Sequence, residues 1–307
     1  MRDIPAAYLS FETPQVADFI APIRAFGLGI VILLFAFSSV AGAAPLSVVA
    51  AESVYGDIAQ QMGGDRVSVI SILSNPAQDP HLFEAGASTA RSVARARFVI
   101  YNGAGYDPWM AKLLSVPGQG PRDAIVAEAF LKQPTDGNPH LWYDPDLIMA
   151  VADAMTAAFA AADPGGTDYD GRNTAFDASM QALTLRVAAL RAKYKGTPVT
   201  ATEPVFDYMA RQIGLDMRNT AFQRAVMNDT EPSASEVAAF EDDLRGQKVR
   251  VLLYNVQTTG AMPQRMRRIA EEAGIPVVGI SETEPAGMHY QDWMMAQLDA
   301  LDKALSK

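Results

Sequence analysis

Two of the three histidines in this chain lie in similar local sequences. His81 stands in DPHLFE (79–84) and His140 in NPHLWYDP (138–145), so that each follows a proline and precedes a leucine. Imidazole is the commonest side-chain ligand of transition metals and a frequent acid or base. A lone histidine in a loop is more often an ordinary polar or capping residue. The pair therefore needs further ligands before it indicates a site.

Carboxylates that follow predicted strands supply those ligands. Glu203 follows TPVTAT (197–202), while Glu282 and Glu284 follow or nearly follow IPVVGIS (275–281). In parallel α/β sheets, functional groups gather in the loops after the carboxyl ends of strands. A single glutamate at such a place is more often a helix-start charge. Two imidazoles and two carboxylates from four loops, taken as a set, fit a divalent transition metal.

The remaining motifs indicate less. His289, the third histidine, is interpreted as a residue that enters the last helix, with a ligand role as the alternative. The segment GAGYDPW (103–109) is interpreted as a tight turn. The sequence contains no phosphate-binding loop, no GxGxxG, no HExxH and no GxSxG motif. It also has no cysteine, which excludes disulfides, thiolate ligands and a cysteine nucleophile.

The elements that must position these residues alternate between strand and helix patterns. β-branched, apolar runs at 45–53, 66–73 and 97–103 are each followed by a helical pattern. This order predicts an α/β fold with mostly parallel sheets. Five apolar residues recur at helical spacing in a long segment, 172–196, that ends at a glycine. They are Phe176, Met180, Leu183, Val187 and Leu190.

We therefore expect two α/β lobes joined by one long backbone helix. The predicted N-terminal lobe covers 44–165, the linking helix lies within 166–196, and the predicted C-terminal lobe covers 197–307. The chain has 307 residues, of which 49% are hydrophobic, so a sizeable core is expected. Its formal charge of −10 argues against binding to nucleic acid or to an anionic membrane surface.

The N-terminal segment predicts export. The apolar run AFGLGIVILLFAFSSV (25–40) follows Arg24 and precedes AGAAP (41–45), which is typical of a cleavable signal peptide. A membrane span needs about 20 apolar residues, and an uncleaved anchor helix is the alternative. We expect residues 1–43 to be a leader and signal peptide. Without a cysteine for lipid attachment, the product is expected to be a free periplasmic protein with no membrane anchor.

DPHLFE and NPHLWYDP together resemble motifs of the zinc/manganese-type solute-binding proteins of bacterial ABC importers, the ZnuA/TroA family. The resemblance extends over essentially the whole chain after the predicted leader and implies a metal held between two lobes. It implies His81 and His140 as ligands from the N-terminal lobe. It further implies Glu203, in EPVFDY, as the third ligand. Glu282, in GISETEP, stands where the family usually has aspartate, with Glu284 as the second choice.

The resemblance also implies a function. It implies high-affinity periplasmic binding of Mn²⁺ or Zn²⁺, with Fe²⁺ as a third candidate, by a monomer that is not an enzyme. The ion would pass to an ABC membrane permease with its ATPase. A glutamate at 203 and the lack of a histidine-rich loop favour manganese or iron. The alternatives are a periplasmic metal-dependent hydrolase with the same ligands and Glu284 or Glu231 as base, and a surface adhesion module.

Overall fold

Two four-stranded parallel sheets form the framework of the chain. The computed structural model describes residues 44–116, 123–133, 136–166 and 168–307, so the predicted leader and signal peptide lie outside the described residues. The first sheet comprises β1 (Leu46–Glu52), β2 (Val67–Leu73), β3 (Phe98–Tyr101) and β4 (Asp123–Val126). The second comprises β5 (Pro198–Ala201), β6 (Asp216–Arg218), β7 (Leu252–Asn255) and β8 (Val277–Ile280).

Both sheets have the same topology. The strand orders are β2-β1-β3-β4 and β6-β5-β7-β8, and every neighbouring pair is parallel. In each sheet the second strand lies on one side of the first strand and the third strand lies on the other side. The strand order therefore reverses between β1 and β3, and again between β5 and β7. Such reversal points open a crevice at the carboxyl ends of the strands, where ligands of α/β proteins bind.

Ten α-helices lie within the described ranges. They are α1 (Ser53–Gly63), α2 (Ala87–Arg95), α3 (Pro108–Ser115), α4 (Pro145–Ala162), α5 (Tyr169–Tyr194), α6 (Asp207–Ile213), α7 (Thr220–Met227), α8 (Ala234–Arg245), α9 (Ala261–Glu272) and α10 (Tyr290–Leu305). The first sheet with α1 to α4 is here called the N-terminal lobe, and the second sheet with α6 to α10 the C-terminal lobe.

The long helix α5 joins the lobes as predicted. It packs against α1 and α4 of the N-terminal lobe and against α6 and α10 of the C-terminal lobe. The five apolar residues predicted for its inner face are all buried. One hydrophobic core extends from Val48 to Leu305, so the two lobes share it. The exact lobe boundaries stay a prediction.

The element limits differ from the sequence prediction at three places. Helix α5 begins at Tyr169 rather than at 172, because the Asp168 side chain accepts a hydrogen bond from the Gly171 amide and caps the helix. The segment AIVAEAF (124–130), whose apolar pattern predicts a further strand, is extended only as far as Val126, where its partner β3 also ends, and continues as a 3-10 helix. Strand β6 and helix α7 were not predicted, since β6 has only three residues and no apolar alternation.

Helix α4 is the one helix in the described part of the chain that is long and apolar enough to cross a membrane, by length and composition alone. Its buried residues belong to the shared core, which accounts for that composition. They include Leu147, Ile148, Val151, Met155 and Phe159.

Candidate metal-binding site

Three of the predicted ligands meet between the lobes. His81, His140 and Glu282 each offer one ligand atom, and these atoms all lie within 4.8 Å of one another. His140 Nε2 is 3.3 Å from Glu282 Oε2, and His81 Nε2 is 3.6 Å from the same oxygen. The loops after β2 and β8 and the loop before α4 thus bring together residues separated by up to 201 positions along the chain.

Asn138 fixes the orientation of His140. Its Oδ1 lies 2.7 Å from His140 Nδ1 and also accepts from the His140 backbone N–H, while its Nδ2 donates to the Pro204 carbonyl. Since Oδ1 can only accept, a neutral His140 must carry its proton on Nδ1 and keep a lone pair on Nε2. That Nε2 atom is buried and has no hydrogen-bond partner. A buried imidazole nitrogen that has no hydrogen-bond partner is available to coordinate a metal ion.

His81 lies on a more exposed loop. The Asp79 side chain accepts a hydrogen bond from the His81 amide and caps a short 3-10 helix, Pro80–Leu82. The His81 imidazole stands edge-on to the rings of Tyr106 and His140, with centroids 5.7 and 6.4 Å away. Its side chain is 25% exposed, whereas that of His140 is completely buried.

Glu282 is held from both lobes. Its Oε2 accepts a hydrogen bond from the Tyr106 hydroxyl of the N-terminal lobe, and its Oε1 accepts one from Asn255 Nδ2 at the end of β7. Burial alone would raise the pKa of this carboxyl. The positive charges of His140 and His81 in their protonated forms, together with the hydroxyl of Tyr106, instead lower the pKa of Glu282 to about 2. The group is therefore an anion at neutral pH.

Glu203 is connected to the group of three through a hydrogen-bond donor, Asn255, that it shares with Glu282. Its Oε2 accepts from Asn255 Nδ2 at 3.1 Å, so one amide group contacts both C-terminal-lobe carboxylates. Burial and the negative charge of Glu282 raise the pKa of Glu203 to about 7. A nearby cation would relieve that repulsion and favour the ionised form.

The other candidate residues lie elsewhere. Glu284 is buried, and its Oε2 has no hydrogen-bond partner. Burial and the charge of Asp57 raise the pKa of Glu284 to about 9, so the group is neutral at pH 7. His289 precedes α10 and its Nδ1 lies 2.6 Å from Asp57 Oδ1, which agrees with the predicted helix-entry position. Glu231 is exposed and borders a surface groove with Pro232 and Arg265.

The chain matches one protein family over most of its length. The family model for ZnuA, described as zinc-uptake complex component A periplasmic, covers residues 48–304. The chain belongs to this family. The resemblance predicted from the two histidine motifs is thereby confirmed.

Individual relatives agree with the ZnuA family assignment. The manganese ABC transporter substrate-binding lipoprotein PsaA of Streptococcus anginosus is 22% identical over 291 residues, which are 85% of this chain and 90% of PsaA. The periplasmic zinc binding protein TroA of Treponema pallidum has a TM-score of 0.73 at 18% identity, covering 86% of this chain and 100% of TroA. A manganese-bound periplasmic metal binding protein of Candidatus Liberibacter asiaticus has a TM-score of 0.69 at 17% identity, covering 85% and 99%.

These similarities confirm the predicted fold of two α/β lobes joined by a backbone helix. They give no support to the hydrolase alternative. The structure gives it no support either, because burial raises the pKa of Glu284 to about 9 and the groove beside Glu231 contains none of the clustered residues.

Sequence reasoning missed four residues that hydrogen-bond to the three clustered residues of this ZnuA family member. They are Tyr106, Asn138, Asn255 and Gln257. The segment that contains Tyr106 was interpreted as a tight turn, and Asn138 was visible only as part of a motif. For Asn255, a signal was available: it is a polar residue at the end of the mostly apolar run VRVLLYN (249–255), whose last four residues form β7.

Proposed function

We propose that this chain binds one divalent transition-metal ion outside the cytoplasmic membrane with high affinity and delivers it to an ABC importer. The observation that carries the proposal is the convergence of His81, His140 and Glu282 ligand atoms within 4.8 Å, with imidazoles from one lobe and a carboxylate from the other. Family membership supports the same function.

The proposed ligands are His81, His140, Glu282 and Glu203. The unpartnered Nε2 of His140 and the shared amide contact of the two glutamates support this set. Glu284 is a weaker candidate, since its neutral carboxyl would first have to lose a proton. Four protein ligands would fill a tetrahedral site and leave no position for a reacting water, so we propose binding rather than catalysis.

The ion is proposed to be Mn²⁺ or Zn²⁺, with Fe²⁺ as a third candidate. Imidazole suits zinc and iron, and carboxylate oxygen suits manganese, so two of each select no single ion. The relatives point both ways, because PsaA is named for manganese and TroA for zinc.

We infer that the chain acts in the periplasm after export and removal of residues 1–43. Relatives described as periplasmic or as substrate-binding lipoproteins support an exported location. The partner is proposed to be a membrane permease with its ATPase. This chain has no cysteine for a lipid anchor, and a free monomer is the form proposed here.

Metal binding to purified protein tests the proposal. Elemental analysis and competition calorimetry should find about one Mn or Zn ion per chain, and His81→Ala should lose most of the affinity. His289→Ala is the matched control, because His289 bonds to Asp57 outside the cluster. Unchanged binding in His81→Ala, or equal losses in both variants, would show that the site is wrongly assigned.

A further inference from the structure

The side-chain amide of Gln257 connects two ligand-bearing loops from opposite lobes. Its Nε2 donates to the Gln78 carbonyl at 2.8 Å, three residues before His81. Its Oε1 accepts from the backbone N–H of Glu282 at 2.6 Å and from that of Thr283 at 3.0 Å. One planar group thus contacts the loop of an N-terminal-lobe histidine and the loop of a C-terminal-lobe carboxylate.

The amide has no freedom to turn. Gln257 is only 5% exposed, and Nε2 also donates to Thr283 Oγ1 at 3.0 Å. The Gln257 backbone N–H donates to Asn255 Oδ1 at 3.0 Å, which anchors it beside the residue that contacts both glutamates. Exchanging the nitrogen and oxygen of the amide would place an acceptor against the Gln78 carbonyl and a donor against the Glu282 amide. The orientation is therefore fixed by its partners.

The His81 loop has few other constraints. Its remaining side-chain and turn hydrogen bonds are local: the Ala77 and Gln78 amides donate to Asn75, the His81 and Leu82 amides to Asp79, and the Phe83 amide to Pro80. Among the described residues, the bond from Gln257 to Gln78 is the one hydrogen bond that ties this loop to the C-terminal lobe. Its removal would free the loop while leaving the His140 segment in place.

We propose that Gln257 is a positioning residue that holds the His81 loop against the Glu282 loop and so slows release of the bound ion. This inference rests on the proposed function. Asn138 makes the reverse connection, since it orients His140 within its own lobe and donates to Pro204 of the other. Each lobe thus contributes one carboxamide that orients a ligand and reaches across to a carbonyl.

Two measurements on the full mature chain test the proposal. The variant Gln257→Met keeps the length of the side chain but removes its donor and its acceptor. Release of Mn²⁺ or Zn²⁺ to an excess of chelator should be about tenfold faster, with the stoichiometry still near one. Hydrogen–deuterium exchange of residues 74–84, measured without metal, should also be faster than in the wild type.

Controls separate this role from a general loss of structure. Gln291→Ala removes another amide contact between lobes, from α10 to Gln61 of α1, that involves neither ligand loop, and it should change neither measurement. Gln257→Glu keeps an acceptor for the Glu282 and Thr283 amides but puts a second carboxylate oxygen, with its negative charge, against the Gln78 carbonyl. It should therefore loosen residues 74–84 even if Gln257→Met fails to fold, and because of the added charge only its exchange is compared with the wild type.

Wild-type exchange of residues 74–84 in both Gln257 variants would overturn the proposal, as would wild-type release rates. A wild-type chain that binds no metal would refute the proposed function, and the exchange measurement would still decide whether Gln257 holds the loop.

Discussion

The two histidine segments begin alike in sequence and differ in how the fold holds them. The segment around His140 is embedded: Tyr290 donates to the Trp142 carbonyl, Tyr143 to the Ser281 carbonyl and Tyr208 to the Asn138 carbonyl, all from one lobe to the other. The loop around His81 is exposed and, within the described structure, has the single cross-lobe hydrogen bond from Gln257. Similar motifs therefore play different mechanical roles.

This difference indicates which side of the site is fixed before the ion binds and which side can move. His140 and Glu282 are fixed by buried contacts whose loss would expose unpaired polar groups. His81 depends on a loop with mainly local hydrogen bonds, and such segments open at low cost in free energy. We infer that the His81 loop is the movable side of the site, and that the ion enters and leaves past it.

The carboxyl ends of the two sheets differ in a related way. Glu52, which ends β1, is buried next to Asp107, and burial with that charge raises the pKa of Glu52 well above its usual value. The pKa of Asp107 is raised by burial to about 6, while its oxygens accept the Asn102 and Gly103 amides. At this edge of the first sheet, the Asp107 carboxyl thus holds the loop that follows β3. The second sheet presents Glu203 to the site.

Removing His140 should have the largest effect. His140→Ala should weaken metal binding by more than about 100-fold, beyond what changes next to a ligand usually cost. It should also weaken binding more than His81→Ala does, because the embedded segment cannot move another group into place. Competition titrations against a chelator measure both. A greater loss of metal affinity in His81→Ala than in His140→Ala would contradict the conclusion that the His140 segment is the more firmly held of the two.

Replacing Asn138 should have the second largest effect on metal affinity. Asn138→Leu removes the acceptor that holds the proton on His140 Nδ1, and the expected loss of metal affinity is about 10- to 100-fold. NMR of the imidazole nitrogens should show a mixture of tautomers in the metal-free variant, in contrast to a single tautomer in the wild type. Wild-type affinity together with a mixed tautomer population would mean that the orientation of His140 is irrelevant to binding.

Much of this site followed from short-range patterns. The two Pro-His-Leu motifs and the carboxylates after buried strands predicted a cluster that includes His81, His140 and Glu282, and these three residues do lie together. The prediction was possible because parallel strands end at a common edge. The apolar positions of α5 followed from helical spacing, since one face of a long helix must be buried.

The supporting contacts did not follow. Tyr106, Asn255 and Gln257 act on residues 25 to 179 positions away, and no local pattern specifies such a pairing. The position of Glu203 beyond the group of three also depends on tertiary structure, since its carboxylate is held by Asn255. A three-residue edge strand such as β6 is defined by its partner β5 rather than by its own residues.

The free energy of unfolding of the metal-free protein should also depend more on contacts of the His140 segment than on contacts of the His81 loop. Tyr290→Phe leaves the buried Trp142 carbonyl without its donor and should lower the free energy of unfolding by about 1–2 kcal/mol. Asp79→Ala removes a cap from the exposed His81 loop and should cost less than about 1 kcal/mol. Urea denaturation of both variants tests this order. If Asp79→Ala were the more destabilising change, the His81 loop would be the better-anchored segment.

Replacing His289, the third histidine, should have the smallest effect of these changes, and it serves as a control for the variants of His81 and His140. Hydrogen bonding to Asp57 and its negative charge raise the pKa of His289. A raised pKa in the folded state stabilises the fold below the unfolded value of about 6.5, and the contribution disappears as pH rises through the folded value. The side chain is 64% exposed, so His289→Gln should cost only a few tenths of a kcal/mol.

That cost should be present at about pH 5.5 and absent at about pH 9, because the imidazole is neutral there in both states. Urea denaturation at the two pH values measures it, and metal affinity at neutral pH should match that of the wild type. Equal destabilisation at both pH values would show that His289 acts through packing rather than charge. A loss of affinity would mean that the contact between His289 and Asp57 influences the metal site.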